Sequence, residues 1–345
     1  MSLYSEIMEQ PGRIRSLLAS QKRTVEKIAA SIRARDIAYV FLVARGTSDN
    51  AGRYANYLWG ARNGLPLALA TPSLFTYYRR PPRLKNALVV GISQSGQSPN
   101  IVSVLEEGRR QDCMTLAITN EPQSPLADSS DFVLDIQAGT EKAVAATKTY
   151  TSELVMIAML SAALNADEAG WKELGRVAKW MEQTLTQDAF IAQAAQRYRY
   201  MRQCVVLGRG FNYATAFEWA LKLKELTYVE AEPYSSADFQ HGPIAMIESG
   251  FPVMAVAPRG KVFESLLDVL AHLRKDFLAE LLVVSNARKA LSLAQIPFTI
   301  PDDVPEWLSP LVCILPAQLF AYHLTRAKGY DPDQPRMIRK VTETK

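Results

Sequence analysis

The chain has 345 residues, which at roughly 100–200 residues per domain leaves room for two domains with cores of their own. Its composition, 48% hydrophobic and 21% charged, is that of an ordinary globular protein and excludes intrinsic disorder. Thirty-nine Lys and Arg against 35 Asp and Glu leave a net charge of +4, spread along the chain with no clustered basic stripe to recruit nucleic acid.

The first segment, Tyr4 to Arg35, is charged and helical in period, with a break expected at Pro11–Gly12. Its early acidic residues and lack of an apolar core of about 7–15 residues argue against a signal peptide. No apolar run approaches the ~18 residues of a membrane span, so no membrane partner is expected. Cys113, Cys204 and Cys313 are isolated from one another, and His241, His272 and His323 are equally scattered. That pattern disfavours disulfides and a zinc site and points to a reducing cytoplasm. His272 and His323 read as structural residues embedded in helices.

Four apolar runs follow, Ala38–Val43, Ala87–Ile92, Met114–Thr119 and Phe132–Asp135, each ending in turn residues and alternating with amphipathic stretches. Short β-rich runs alternating with helical segments predict a parallel α/β sheet covered on both faces. Helical period returns from about Ala146 to Tyr200, through Leu154–Leu164 and Glu173–Leu185, before a strand at Cys204–Leu207. The restart is a repeat: Gly46 aligns with Gly210 at an offset of 164 (210 − 46), and Ala87–Ser93 with Phe251–Ala257. A third strand ending at Asn286 echoes the one ending at Asn120. Two similarly folded α/β units joined by a helical connector are therefore expected.

In open α/β sheets, ligands bind beyond the carboxyl ends of the strands. After the first strand comes Arg45-Gly46-Thr47-Ser48-Asp49-Asn50, and after the second Ser93-Gln94-Ser95-Gly96-Gln97-Ser98. Hydroxyls and backbone N–H groups at strand-to-helix turns suit a phosphate. Neither a G-x-G-x-x-G after the first strand nor a G-x-x-x-x-G-K-[ST] occurs, which disfavours NAD and ATP by those routes. The second half offers ionisable groups instead. Lys222 and Glu225 share a helix face with Glu218, a spacing that on its own usually marks a surface ion pair. His241, in a polar turn before Gly242-Pro243, is an acid–base candidate. Lys340, in the polar tail after Asp331-Pro332-Asp333-Gln334-Pro335-Arg336, reads from the residues alone as solvated.

These motifs together (RGTS, SQSGQS, AGTEKAVAATK, LGRG, LKLKE, QHGP, DQPR and the tail lysine) closely resemble the isomerase half of glutamine–fructose-6-phosphate aminotransferase, built of two sugar isomerase (SIS) domains. The resemblance implies two tandem, flavodoxin-like, doubly wound parallel-sheet domains. Their expected bounds are 1–35 for an N-terminal helical segment, 36–165 and 201–328 for the two domains, 166–200 for the connector and 329–345 for an active-site tail.

Position by position, it implies a sugar-phosphate cradle of Ser48, Ser93, Gln94, Ser95 and Ser98, with Thr47, Val144 and Arg339 lining the sugar. Ser98 stands where the synthase carries Thr, and Arg339 where it has a small residue. Glu225 resembles the base that moves a proton between C1 and C2, and Lys222 its neighbour. His241 resembles the ring-opening group that reaches in from the partner subunit of a homodimer. Lys340 resembles the lysine that forms a Schiff base with the open-chain sugar. No metal or cofactor is implied.

The synthase's glutaminase domain is expected to be absent, since the isomerase motifs begin at once after Met1-Ser2. The expected activity is therefore that of the stand-alone relatives: glucosamine 6-phosphate to fructose 6-phosphate and ammonia. The alternatives are a fructosamine-6-phosphate deglycase, distinguished by the pocket edge at Arg339 and Tyr77-Tyr78, an isomerase subunit of a synthase-like system, and a sugar-phosphate sensor without turnover.

Overall fold

A computed structural model describes residues 2–338 and 340. The chain divides into two compact units, each built on one sheet. The first comprises residues 12–141 and 148–176 with Lys340, and the second residues 2–11, 142–147 and 177–338.

In the first unit, β1 (Tyr39–Val43), β2 (Leu67–Leu69), β3 (Ala87–Ser93), β4 (Met114–Thr119) and β5 (Phe132–Asp135) pair in the order β2-β1-β3-β4-β5, all parallel. In the second, β6 (Gln203–Gly208), β7 (Glu230–Ser235), β8 (Pro252–Val256), β9 (Glu280–Ser285) and β10 (Ile296–Thr299) pair in the order β10-β9-β8-β6-β7, again all parallel. Both sheets follow one topology, in which the first strand lies between the second and the third. This is the flavodoxin-like order, and the strand direction of travel reverses between the first and third strands. The repeat seen in sequence is thus a repeat of topology, with β1 and β6 starting at Tyr39 and Gln203, the same offset of 164 (203 − 39).

Every residue of β3 and β4 is buried, as expected of central strands covered on both faces. Phe41, Val89, Val104, Leu105 and Leu126 form the core beneath helix Pro99–Arg110, and helix Lys148–Leu164 is buried throughout all but its last residue. In the second unit Val205, Val253, Leu266, Leu270 and Val283 pack under helix Phe263–Lys275. Helix Ser309–Ala327 packs against helix Tyr213–Thr227.

Several sequence expectations need correction. Segment Glu306–Ala327 is long and apolar enough to cross a membrane by length and composition, although charged and polar residues interrupt it. In this fold 89% of its most apolar window is buried, as a core helix. The N-terminal helices, Leu3–Met8 and Gln10–Arg33, separate at Glu9 and not at Pro11–Gly12. Pro11 is the second residue of its helix, where a missing N–H loses no intrahelical bond. The stretch read as one helix from Glu173 to Leu185 is two, Glu168–Leu174 and Val177–Leu185. Three strands were not legible: β2, β7 and β10. All three are edge strands, and β7 carries Pro233, which an edge tolerates because one side of it has no partner to receive an N–H.

His323 pairs with Asp188 at 2.7 Å, and Asp188 also accepts the Tyr4 hydroxyl at 2.9 Å. His272, by contrast, lies on an exposed helix face beside Asp276. Cys113, Cys204 and Cys313 are free and buried.

Candidate active site

The turns after β1 and β3 leave the carboxyl ends of adjacent parallel strands, paired in register from Tyr39–Ala87 to Val43–Gly91. This is the reversal point of the first sheet, where such folds place ligands. The first turn passes through Gly46 at φ +54°, and Gly210 repeats it after β6 at φ +60°, a left-handed conformation that favours glycine. Helix Gly46–Asn63 then begins, and the first N–H groups of a helix have no intrahelical acceptor. Ser48 is buried, and its hydroxyl donates to Oε1 of Glu153 at 2.8 Å. With its hydrogen committed there, Ser48 offers an incoming anion its backbone N–H.

In the second turn the hydroxyl oxygens of Ser93 and Ser95 accept from the N–H groups of Gly96 (3.1 Å) and Gln97 (3.3 Å). Both hydroxyl hydrogens remain able to donate. Ser98 occupies the N-cap of helix Pro99–Arg110 without using its side chain as a cap, so its hydroxyl is also uncommitted. The Gln94 carbonyl accepts from Asn120 N–H at 3.1 Å, pinning the turn to the end of β4. A Cβ on Gly96 would stand 2.0 Å from Ser124 Oγ, so the turn's close approach to Ser124 requires glycine. Thr47, Gln94, Ser95 and Ser98 are half-buried, open enough to meet a ligand.

Also in the first unit, Lys340 is not solvated. Its ammonium lies 2.6 Å from Oε2 of Glu141, whose carboxylate also receives the Thr149 hydroxyl at 2.8 Å and the Thr149 N–H at 3.2 Å. Sequence reasoning passed over Glu141 and Glu153. The available signals were an acid inside the AGTEKAVAATK motif and an acid inside the otherwise apolar helix Lys148–Leu164. Arg339 lies outside the described residues.

In the second unit Lys222 is 1% exposed, with Nζ 3.3 Å from Glu218 Oε1 and 2.5 Å from Glu225 Oε2. A spacing that on its own usually marks a surface pair is here built around a buried ammonium. Burial alone would lower the ammonium's pKa, but the carboxylates of Glu218 and Glu225 outweigh it and hold the pKa above the usual lysine value. Glu218 is fully buried, whereas Glu225 is 25% exposed and so presents the one solvent-reaching carboxylate of the group. These residues extend from the second turn to the last turn of helix Tyr213–Thr227, which runs back from the carboxyl end of β6 toward the start of β7. The strand-end rule therefore finds the hydroxyl turns but not this carboxylate.

His241 sits on an exposed turn, its N–H bonded to the Asp238 carbonyl at 3.0 Å. Among the described residues its imidazole makes no hydrogen bond or ion pair, and it does not join the Glu218–Lys222–Glu225 group. Val144 is half-buried beside a backbone fixed by Glu6. The buried carboxylate of Glu6 accepts the N–H groups of Lys142 (2.5 Å) and Ala143 (3.2 Å).

A SIS domain model matches the chain twice, over residues 35–163 and 198–327. The chain belongs to the SIS domain family. SIS-domain relatives include the glutamine–fructose-6-phosphate aminotransferases of Gloeobacter violaceus and Methanothermobacter thermautotrophicus. Each is 34% identical over 98% of this chain, covering 58% and 56% of the relative's length. The chain thus spans less than two-thirds of those relatives and is homologous to their isomerase half. Among solved structures, the C-terminal domain of glucosamine-fructose-6-phosphate aminotransferase from Francisella tularensis is 27% identical. It superposes with a TM-score of 0.87 over 96% of this chain and 98% of that one. Glucosamine-6-phosphate deaminase from Thermotoga maritima, 19% identical with a TM-score of 0.82, shares the tandem SIS fold.

Proposed function

We propose that this SIS protein is a phosphosugar isomerase acting on an amino-sugar 6-phosphate, converting glucosamine 6-phosphate and water to fructose 6-phosphate and ammonia. The observation that carries it is the Glu218–Lys222–Glu225 group: one partly exposed carboxylate oriented by a buried ammonium that stays charged.

Aldose–ketose conversion needs a single base that can take a proton from C2 and return it to C1. Glu225 takes that role, with Lys222 fixing the carboxylate. The transfer turns the C1 aldehyde and C2 amine into a C1 alcohol and a C2 imine, and water then splits the imine to the ketone and ammonia. Ser93, Ser95 and Ser98 hydroxyls, Gln94 and the N–H groups at Thr47 and Ser48 grip the phosphate, positioning the sugar from its unreacting end. Lys340, paired with Glu141, is the amine that condenses with the C2 ketone of open-chain fructose 6-phosphate, forming an imine and releasing water.

His241 opens the ring from the partner subunit of a homodimer. Its exposed imidazole, without a hydrogen-bond or ion-pair partner in its own chain among the described residues, supports that assignment.

The test is ammonia and fructose 6-phosphate formation from glucosamine 6-phosphate, with Glu225→Gln as control. Equal amounts of both products, lost in the variant, support the deaminase. The 34% identity to aminotransferases favours one further arm, the reverse direction: fructose 6-phosphate with ammonium yielding glucosamine 6-phosphate. No turnover in either direction contradicts the proposal.

A further inference from the structure

At the amino ends of β6 and β7 the second unit holds a cleft of about 930 Å³ that shares no lining residue with the Glu218–Lys222–Glu225 group. Its wall carries Arg199, Arg202 and Lys328 together with the rings of Tyr200, Tyr228 and Tyr330. A fourth cation stands on two of those rings. The guanidinium of Arg336 lies 4.5 Å from the centre of Tyr228 and 4.8 Å from that of Tyr330, while its backbone N–H donates to the Tyr228 hydroxyl at 2.8 Å. Arg199 stacks 4.7 Å from the ring of Tyr200, which is 79% exposed. Lys328 donates to the carbonyls of Arg199 (3.2 Å) and Met201 (2.5 Å), which fixes its ammonium at the wall.

The charge around this cleft is unbalanced. Among the described residues none of the four cations has a carboxylate within ion-pair distance, and the cleft's one lining acid is the exposed Glu230. Burial, and after it the neighbouring Arg202, push the Lys328 ammonium below the usual lysine pKa. A guanidinium stacked on a ring keeps its N–H edge free, in the plane that suits two oxygens of a phosphate. An exposed tyrosine ring beside it offers a face to a planar group.

We infer that this cleft binds a small phosphorylated ligand that carries at least two negative charges and a planar ring, of the nucleoside diphosphate class. The four cations meet the phosphates, and Tyr200 meets the ring. The cleft shares no lining residue with the turns after β1 and β3, and its occupancy is read by binding alone.

The experiment is calorimetric titration of the full chain with ADP and with inorganic pyrophosphate. The expected result is one ADP per chain, bound more tightly than pyrophosphate. Arg202→Glu should weaken both by roughly tenfold or more, the scale of a lost charge-assisted contact, with an unchanged circular-dichroism melt and sugar-phosphate turnover. Tyr200→Ala should weaken ADP alone, and a Ser95→Ala/Ser98→Ala double variant should weaken neither. If Arg202→Glu fails to fold, Arg199→Gln, at the exposed wall of the cleft, carries the same expectation. Absence of saturable binding, or binding lost in the serine double variant but kept in Arg202→Glu, overturns the site. Pyrophosphate bound as tightly as ADP overturns the nucleotide class.

Discussion

The ammonium of Lys340 lies 2.6 Å from Oε2 of Glu141, a carboxylate whose side chain is fully buried. A lysine near the end of a chain would ordinarily be solvated; here a buried acid, itself held by both donors of Thr149, fixes where its amine stands. Glu141→Gln keeps the shape and removes the charge. Borohydride trapping of fructose 6-phosphate on Lys340 should then fall roughly tenfold, in line with the loss of a charge-assisted hydrogen bond. Lys340→Arg should keep the ion pair and the melting temperature but lose the trapped adduct entirely. Mass spectrometry of the reduced protein reads both, and undiminished trapping in Glu141→Gln would contradict the positioning role.

Lys222 couples the candidate base to stability. Its folded-state pKa is raised above the ordinary 10.5, so its contribution is fully present below about pH 10.5 and is lost as pH rises through the folded value. Stability should therefore fall at strongly alkaline pH, and Lys222→Met should lack that part of the fall. The same substitution leaves buried Glu218 without its cation, which costs about 3–5 kcal/mol at neutral pH. Urea unfolding across pH 7–12 measures both effects.

The hydroxyl of Ser98 does no capping, so the fold does not depend on it. Ser98→Ala should leave the melting temperature unchanged and raise KM for the sugar phosphate about tenfold, the scale of one hydrogen bond to a charged group, with kcat little altered. Gly96→Ala should do the opposite to the fold. At φ +61° with a Cβ 2.0 Å from Ser124 Oγ, it should destabilise by roughly 1–3 kcal/mol or more. Thermal melts and steady-state kinetics on the two variants separate these outcomes.

The exposed imidazole of His241 makes a different prediction. If it serves the partner's sugar, His241→Ala mixed with Glu225→Gln should regain activity through hybrid dimers in which one site has both groups intact. Activity assays on purified heterodimers check this, and absence of recovery there would contradict a shared site.

Central strands announced themselves because β1, β3, β4, β6, β8 and β9 are apolar runs buried on both faces. The strands that escaped, β2, β7 and β10, lie at edges, where Glu230, Glu232 and Pro233 are compatible with pairing on one side only. The hydroxyl turns were legible because a strand end and a helix start sit next to each other in sequence. The environment of Lys222 was not. An i, i+3 and i, i+4 spacing fixes which side chains meet but says nothing of burial, which comes from the sheet and helices that cover the helix. Glu141 and Lys340 meet across 199 residues of sequence separation, beyond any local pattern.

Proton transfer itself can be watched. Incubating fructose 6-phosphate with the protein in deuterium oxide should place solvent deuterium at C1, read by NMR. Glu225→Gln should abolish that exchange while still binding the sugar phosphate. Wash-in that persists in Glu225→Gln, or no wash-in by a wild-type protein that binds the sugar, would contradict Glu225 as the base of a phosphosugar isomerase.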